Sequence, residues 1–114
     1  MTQKIDQFEI LKKDMMRFLE ERDWIKFHTP KNIAMSIAIE AAELMELFQW
    51  TNPPKEEILV DEAILARIKD ELADILIYSI SMGLQLNIDL FACIKDKMNK
   101  NHERFPPKSK EITE

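Results

Sequence analysis

Two stretches of this chain carry paired acids with no base beside them, and any fold it adopts must neutralise those acids. Residues 32–54 and 70–90 contain no Lys or Arg. The first holds Glu40 and Glu43, the second Glu71 and Asp74. A three-residue step sets both members of a pair on one face of a helix. Four like charges on mainly apolar helices have three outcomes: they point into water, take up protons at raised pKa, or share a cation. Residues 33–49, IAMSIAIEAAELMELFQ, are apolar almost all round, the pattern of a helix buried on most faces. A buried stripe of acids without bases leads us to expect an oxygen-lined site for a hard divalent cation, Mg2+ or Mn2+.

The length, 114 residues, is one domain's worth, enough to bury about two thirds of the unfolded surface. We therefore expect residues 1–114 to form a single domain. One Gly among seven Met is few for a sheet protein full of tight turns, and points to an all-helical chain. The single Cys93 has no internal disulfide partner, and His28 and His102 are too far apart in sequence to make a zinc set. A reducing cytoplasm fits this usage. Charged residues from Lys4 to Arg17 interrupt any signal-peptide core. The longest charge-free run, Ile75 to Ile88, falls short of a bilayer span. A net charge of −5 argues against a general affinity for nucleic acid. The expectation is a soluble protein without nucleic-acid or membrane partners.

Hydrophobic periodicity predicts four helices. Ile5, Phe8, Leu11, Met15, Phe18 and Leu19 recur at three- and four-residue steps, giving an amphipathic helix over about 4–22. The aromatic stretch from Asp23 to Asn32 reads as a loop, closed by Thr29 and Pro30 as cap and first turn of a second helix. That helix runs to about Gln49, where Trp50, Pro53 and Pro54 end it. After a loop, Asp61 caps a third helix reaching about Leu86, with Leu65, Ile68, Leu72, Ile75, Leu76, Ser79 and Met82 facing inward. Asp89 caps a fourth, in which Leu90, Phe91, Ile94, Met98 and Phe105 face inward, and Pro106 stops it. The polar tail after it reads as frayed. Four helices with short loops predict a four-helix bundle, with the second and third antiparallel so that Glu40 and Glu43 oppose Glu71 and Asp74.

The ordered set of motifs resembles a known family. E-x-x-E at 40–43, E-x-x-D at 71–74 and K-x-x-x-N-x-x-R at Lys97, Asn101 and Arg104 are similar to the all-alpha nucleoside triphosphate pyrophosphohydrolases of the MazG type. R-D-W at 22–24, F-H at 27–28, E-L-x-E-L-F-Q-W at 43–50 and N-x-x-R-F-P resemble the dCTP pyrophosphatase branch most closely. Many members double the Glu that opens the first motif. Here Ile39 precedes Glu40, so four ligands carry over and no fifth. Glu46, one turn further, is either an outer-shell residue or a rim acid.

The resemblance implies Mg2+ on Glu40, Glu43, Glu71 and Asp74, with the same four as the catalytic set. The implied reaction cleaves a (d)NTP between α and β phosphates to monophosphate and pyrophosphate, acting on dCTP-like or modified nucleotides in cleansing of the nucleotide pool. Dimers or tetramers are implied, with sites near subunit contacts. Lys97, Asn101 and Arg104 share one helix face and are either a polyphosphate grip or a solvated basic edge. Trp24, His28, Trp50 and Tyr78 flank the acids and are candidates to hold the base, while tryptophans at helix ends also serve as hydrophobic staples. Two other classes remain open. A phosphoribosyl-ATP-type pyrophosphohydrolase shares acidic helices, though the aromatic set argues for a nucleobase pocket. A non-catalytic helical interaction module predicts no metal dependence and leaves the missing bases unexplained.

Overall fold

The computed structural model describes residues 6–108, and within them every regular element is helical. The elements are α1 (Gln7–Glu21), a 3-10 turn (Ile25–Phe27), α2 (Pro30–Glu46), α3 (Lys55–Leu59), α4 (Glu62–Gln85) and α5 (Leu90–Arg104). The long helices begin where short acceptor side chains stop the backbone donors from being orphaned. Asp6 accepts from the Phe8 N–H, Thr29 from Asn32, Asp61 from Ile64 and Asp89 from Ala92. Thr29, Asp61 and Asp89 are the caps expected from sequence. Lys4, Ile5 and the tail from Ser109, for which a helix start and a frayed end were expected, lie outside the described residues.

α2 and α4 form the central packed pair, and α1 and the short α3 both pack on α4. Ile33 is almost fully buried at the start of α2, and Met15 and Leu19 bury the inner face of α1. Gly83 is helical, and its lack of a side chain admits α5. A Cβ there would stand 3.0 Å from Leu90 Cγ. Asn87, at φ 54°, makes the left-handed turn that ends α4, a conformation Asn tolerates better than most residues.

The inward faces expected from periodicity are only partly covered by the chain itself. Leu72 and Leu76 of α4 are exposed, as are Met35, Ile39 and Met45 of α2 and Leu11 and Phe18 of α1. Of the five residues expected to face inward on α5, Leu90 is part-covered beside Gly83, whereas Phe91, Ile94, Met98 and Phe105 are exposed. The cause is direction. α5 leaves α4 at 103° instead of folding back along it. Its start is held by the edge of Phe91 against Phe8, with ring centroids 4.9 Å apart. No single helix among the described residues is long and apolar enough to cross a membrane.

Candidate active site

The acid pairs meet where α2 crosses α4. Ligand oxygens of Glu40, Glu43 and Glu71 lie within 4.8 Å of one another, and Asp74 sits beside Glu40 closely enough to hydrogen-bond it. Glu40 answers Asp74 while Glu43 answers Glu71, the crossed register of antiparallel helices expected from sequence. Among the described residues the ion pairs are Lys12–Glu9, Arg22–Glu21 and Lys26–Asp23, all outside the cluster.

The electrostatic consequence is proton retention. Burial, followed by the charges of Glu43 and Asp74, pushes the Glu40 carboxyl up to about 7 from its ordinary 4.5. Burial and Glu43 raise Glu71 in the same direction. Glu71 Oε2 is buried and has no hydrogen-bond partner, an unfavourable state for a polar atom that calls for a ligand. An orphaned carboxylate oxygen among neighbouring carboxylates is a set of donors that a hard cation would fit. Two oxygens across one Mg2+ would be about 4.2 Å apart, twice its bond length, close to the spread of the cluster.

Beside Asp74, α1 and α4 enclose a cavity of about 440 Å3, within the range of small-molecule sites. Its wall is a chain of linked rings. Arg22 lies 3.8 Å over the Phe18 ring, and Phe18 meets Trp24 edge-on with centroids 5.8 Å apart. His28 Nδ1 lies 3.3 Å from the Trp24 carbonyl, and the His28 ring stacks on Tyr78 with centroids 6.3 Å apart. The backbone supports this arrangement: Asp23, at φ 57°, turns the chain out of α1, and the Asn32 side chain donates to the Phe27 carbonyl. Lys26 bridges back to Asp23 at 3.0 Å.

The fold thus brings together Glu40, Glu43, Glu71 and Asp74, and sets Trp24, His28 and Tyr78 beside them. Trp50 is 86 % exposed on the loop after α2 and does not line the cavity. Lys97, Asn101 and Arg104 do not line it either. The Arg104 guanidinium lies 5.1 Å over Phe105, and Asn101 Nδ2 is 3.9 Å from the Met98 sulfur. Glu46, in the last turn of α2, is exposed. Sequence reasoning missed Asp14, Phe18 and Ser81, which also line the cavity. Phe18 and Asp14 sit in a helix read as core packing. Ser81 carried a legible signal, a hydroxyl inside the charge-free run from Ile75 to Ile88.

Known proteins share this arrangement of helices. The chain is 36% identical over 98 residues to mouse dCTP pyrophosphatase 1 and 34% identical over 98 residues to the human protein of that name. Each match covers 78% of this chain and 53% of the relative, so the chain spans about half the length of the curated relatives it matches. The solved structure of a pyrophosphatase from Archaeoglobus fulgidus superposes with a TM-score of 0.83 at 38% identity, covering 94% of this chain and 99% of that one. The MazG-like family matches residues 35–114, which include both acid pairs. From that match and the all-helical fold carrying those acids, the chain belongs to the MazG-like family.

Proposed function

We propose that the protein is a nucleoside triphosphate pyrophosphohydrolase that cleaves between the α and β phosphates and acts on dCTP-like or modified nucleotides. The observation that carries this reading is the junction of two environments. A base-free cluster of Glu40, Glu43 and Glu71 lies beside Asp74, which lines an aromatic-walled cavity. A triphosphate brings about four negative charges to four acids, so the encounter is repulsive unless a divalent cation intervenes. Glu40, Glu43, Glu71 and Asp74 would hold Mg2+, or Mn2+ in its place. Bound there, the ion supplies charge neutralisation and Lewis acidity at the phosphates.

The chain's own groups do the rest. Trp24, His28 and Tyr78 hold the base flat and exclude water from it. One of the carboxylates takes the proton of the attacking water as its oxygen bonds to the α phosphorus. The bond from that phosphorus to the bridging oxygen breaks, and pyrophosphate leaves. The relatives' names, dCTP pyrophosphatase 1, support this substrate class.

The open surface supports assembly into a dimer or tetramer. The chain exposes 10012 Å2, where a compact monomer of this mass would expose about 6,500 Å2. Phe91, Ile94, Met98 and Phe105 recur along α5 and its end at helical spacing and are all exposed, with Phe91 touching Phe8 at the helix start. A second copy covers this stripe and carries Lys97, Asn101, Arg104 and Trp50 towards a neighbouring site, where the basic residues grip polyphosphate. On this reading residues 1–114 work as one domain, in the cytoplasm, on a nucleotide and without nucleic acid or membrane.

The deciding experiment is pyrophosphate release from a panel of canonical and modified NTPs and dNTPs, with Mg2+ and with chelator. Metal-dependent formation of the monophosphate is the expected result. No release from any nucleotide by folded, metal-supplied protein would sink the reading.

A further inference from the structure

Among the described residues Ser81 is the one buried polar side chain, only 6 % exposed, and it lines the aromatic cavity. It shares a face of α4 with the acids. Glu71, Asp74, Tyr78 and Ser81 follow one another at steps of three, four and three residues. Seven residues of helix place Ser81 about 10 Å along the axis from Asp74. A nucleotide whose phosphates lie at the acids therefore extends its base past Tyr78 towards Ser81.

What Ser81 recognises follows from where its proton goes. A hydroxyl has one proton and two lone pairs. Ser81 donates that proton to the Ile77 carbonyl at 2.9 Å, one turn back, so only its lone pairs remain for a ligand. His28 is similarly committed. The Trp24 carbonyl beside Nδ1 can only accept, which favours the tautomer with the proton on Nδ1, and in that tautomer Nε2 is an acceptor. Asp14 adds a carboxylate to the lining. The Trp24 indole N–H and the Tyr78 hydroxyl bring donors to the same cavity, but at its Ser81 end the lone pairs of Oγ call for a donor on the ligand.

We propose that Ser81 is a specificity-determining residue whose Oγ accepts a hydrogen bond from the exocyclic amino group of the base, so that the cavity prefers cytosine to uracil. This rests on the nucleotide reading above and deepens it. A keto oxygen in place of the amino group sets lone pair against lone pair. Relief requires the hydroxyl to turn away from Ile77 and give up that bond. The difference of about one hydrogen bond corresponds to roughly tenfold in affinity.

The test is calorimetric binding of dCMP and dUMP to the Mg2+-supplied protein, in the wild type, Ser81→Ala and Ser81→Thr. The wild type should bind dCMP about tenfold more tightly than dUMP. Ser81→Ala should bring the ratio close to one, and Ser81→Thr, which keeps the hydroxyl, should restore most of it. Equal binding of the two nucleotides by the wild type, or an unchanged ratio in folded Ser81→Ala, overturns the proposal. A ligand-side variant needs no mutant. A deoxypyrimidinone monophosphate without the 4-amino group should bind as weakly as dUMP, and binding as tight as dCMP overturns the proposal. Binding is read separately from turnover. A protein that selects dCMP but releases no pyrophosphate refutes the hydrolase reading and supports this one, whereas turnover without base selectivity does the reverse.

Discussion

The α2–α4 seam and α5 carry polar residues at the same helical spacing and have different outcomes. At the seam, two i,i+3 acid pairs from separate helices face each other, and one acid of each pair, Glu40 and Glu71, is desolvated and holds its proton more tightly. On α5, Lys97, Asn101 and Arg104 share a face just as surely, yet the helix diverges at 103° and buries no residue. Spacing places side chains on one face; a second helix at the right angle makes that face a site. Among the described residues the seam has its second helix, and the polar face of α5 does not.

The largest expected effect separates the two regions directly. Glu43→Gln removes one ligand of the proposed cation and should lower kcat by on the order of 10³-fold, several kcal/mol of transition-state stabilisation. Its circular dichroism and melting should stay close to wild type. Near-normal turnover would dissolve the contrast in favour of solvated acids.

The next effect concerns what covers α5. Ile94→Asp places a charge in the exposed apolar stripe and should convert the assembly to monomer in sedimentation velocity at micromolar concentration. If the wild type is itself a monomer there, the second copy is absent and α5 must find another role.

Arg104→Ala should raise KM for a triphosphate by about tenfold or more, the value of a charge-assisted contact. An unchanged KM returns α5 to a solvated basic edge. Trp24→Ala should weaken nucleotide binding by a similar or smaller factor, since base–aromatic stacking contributes about 1–3 kcal/mol. An unchanged Michaelis constant would remove Trp24 from the base wall.

The smallest effect is a pH dependence confined to the seam. In the metal-free fold Glu40 holds its proton up to about 7, against an ordinary 4.5. The folded state thus binds more protons than the unfolded state between those values, and stability falls as pH rises through them. Melting temperature of chelator-treated protein should decrease from about pH 5 to about pH 8, and Mg2+ should restore it at the upper end. A metal-free melting temperature that rises over this interval would contradict the crowded, base-free cluster.

Much of this could be read from residues alone because helices declare themselves locally. The caps Thr29, Asp61 and Asp89, the 3.6-residue periodicity and the terminating prolines act within a few residues of the backbone they control. So does the absence of Lys and Arg around the acids, which the structure preserves. α3 escaped notice because five residues after Pro54 carry no capping side chain and too short a period to see. The cavity escaped for a different reason. Asp14 and Phe18 on α1 and Ser81 on α4 are far apart in sequence, and only the packing of α1 on α4 puts them around one space.

The sequence by itself determined the helices, their starts and the carboxylates that must be neutralised, since capping, periodicity and charge spacing are short-range. Tertiary structure alone decided the rest. The crossing of α2 on α4 closed the distances among the acids and desolvated Glu40 and Glu71, the α1–α4 contact built the ring-walled cavity, and the angle at Asn87 left α5 without cover. Each depends on where one helix lies relative to another, a relation that no local preference of the chain encodes.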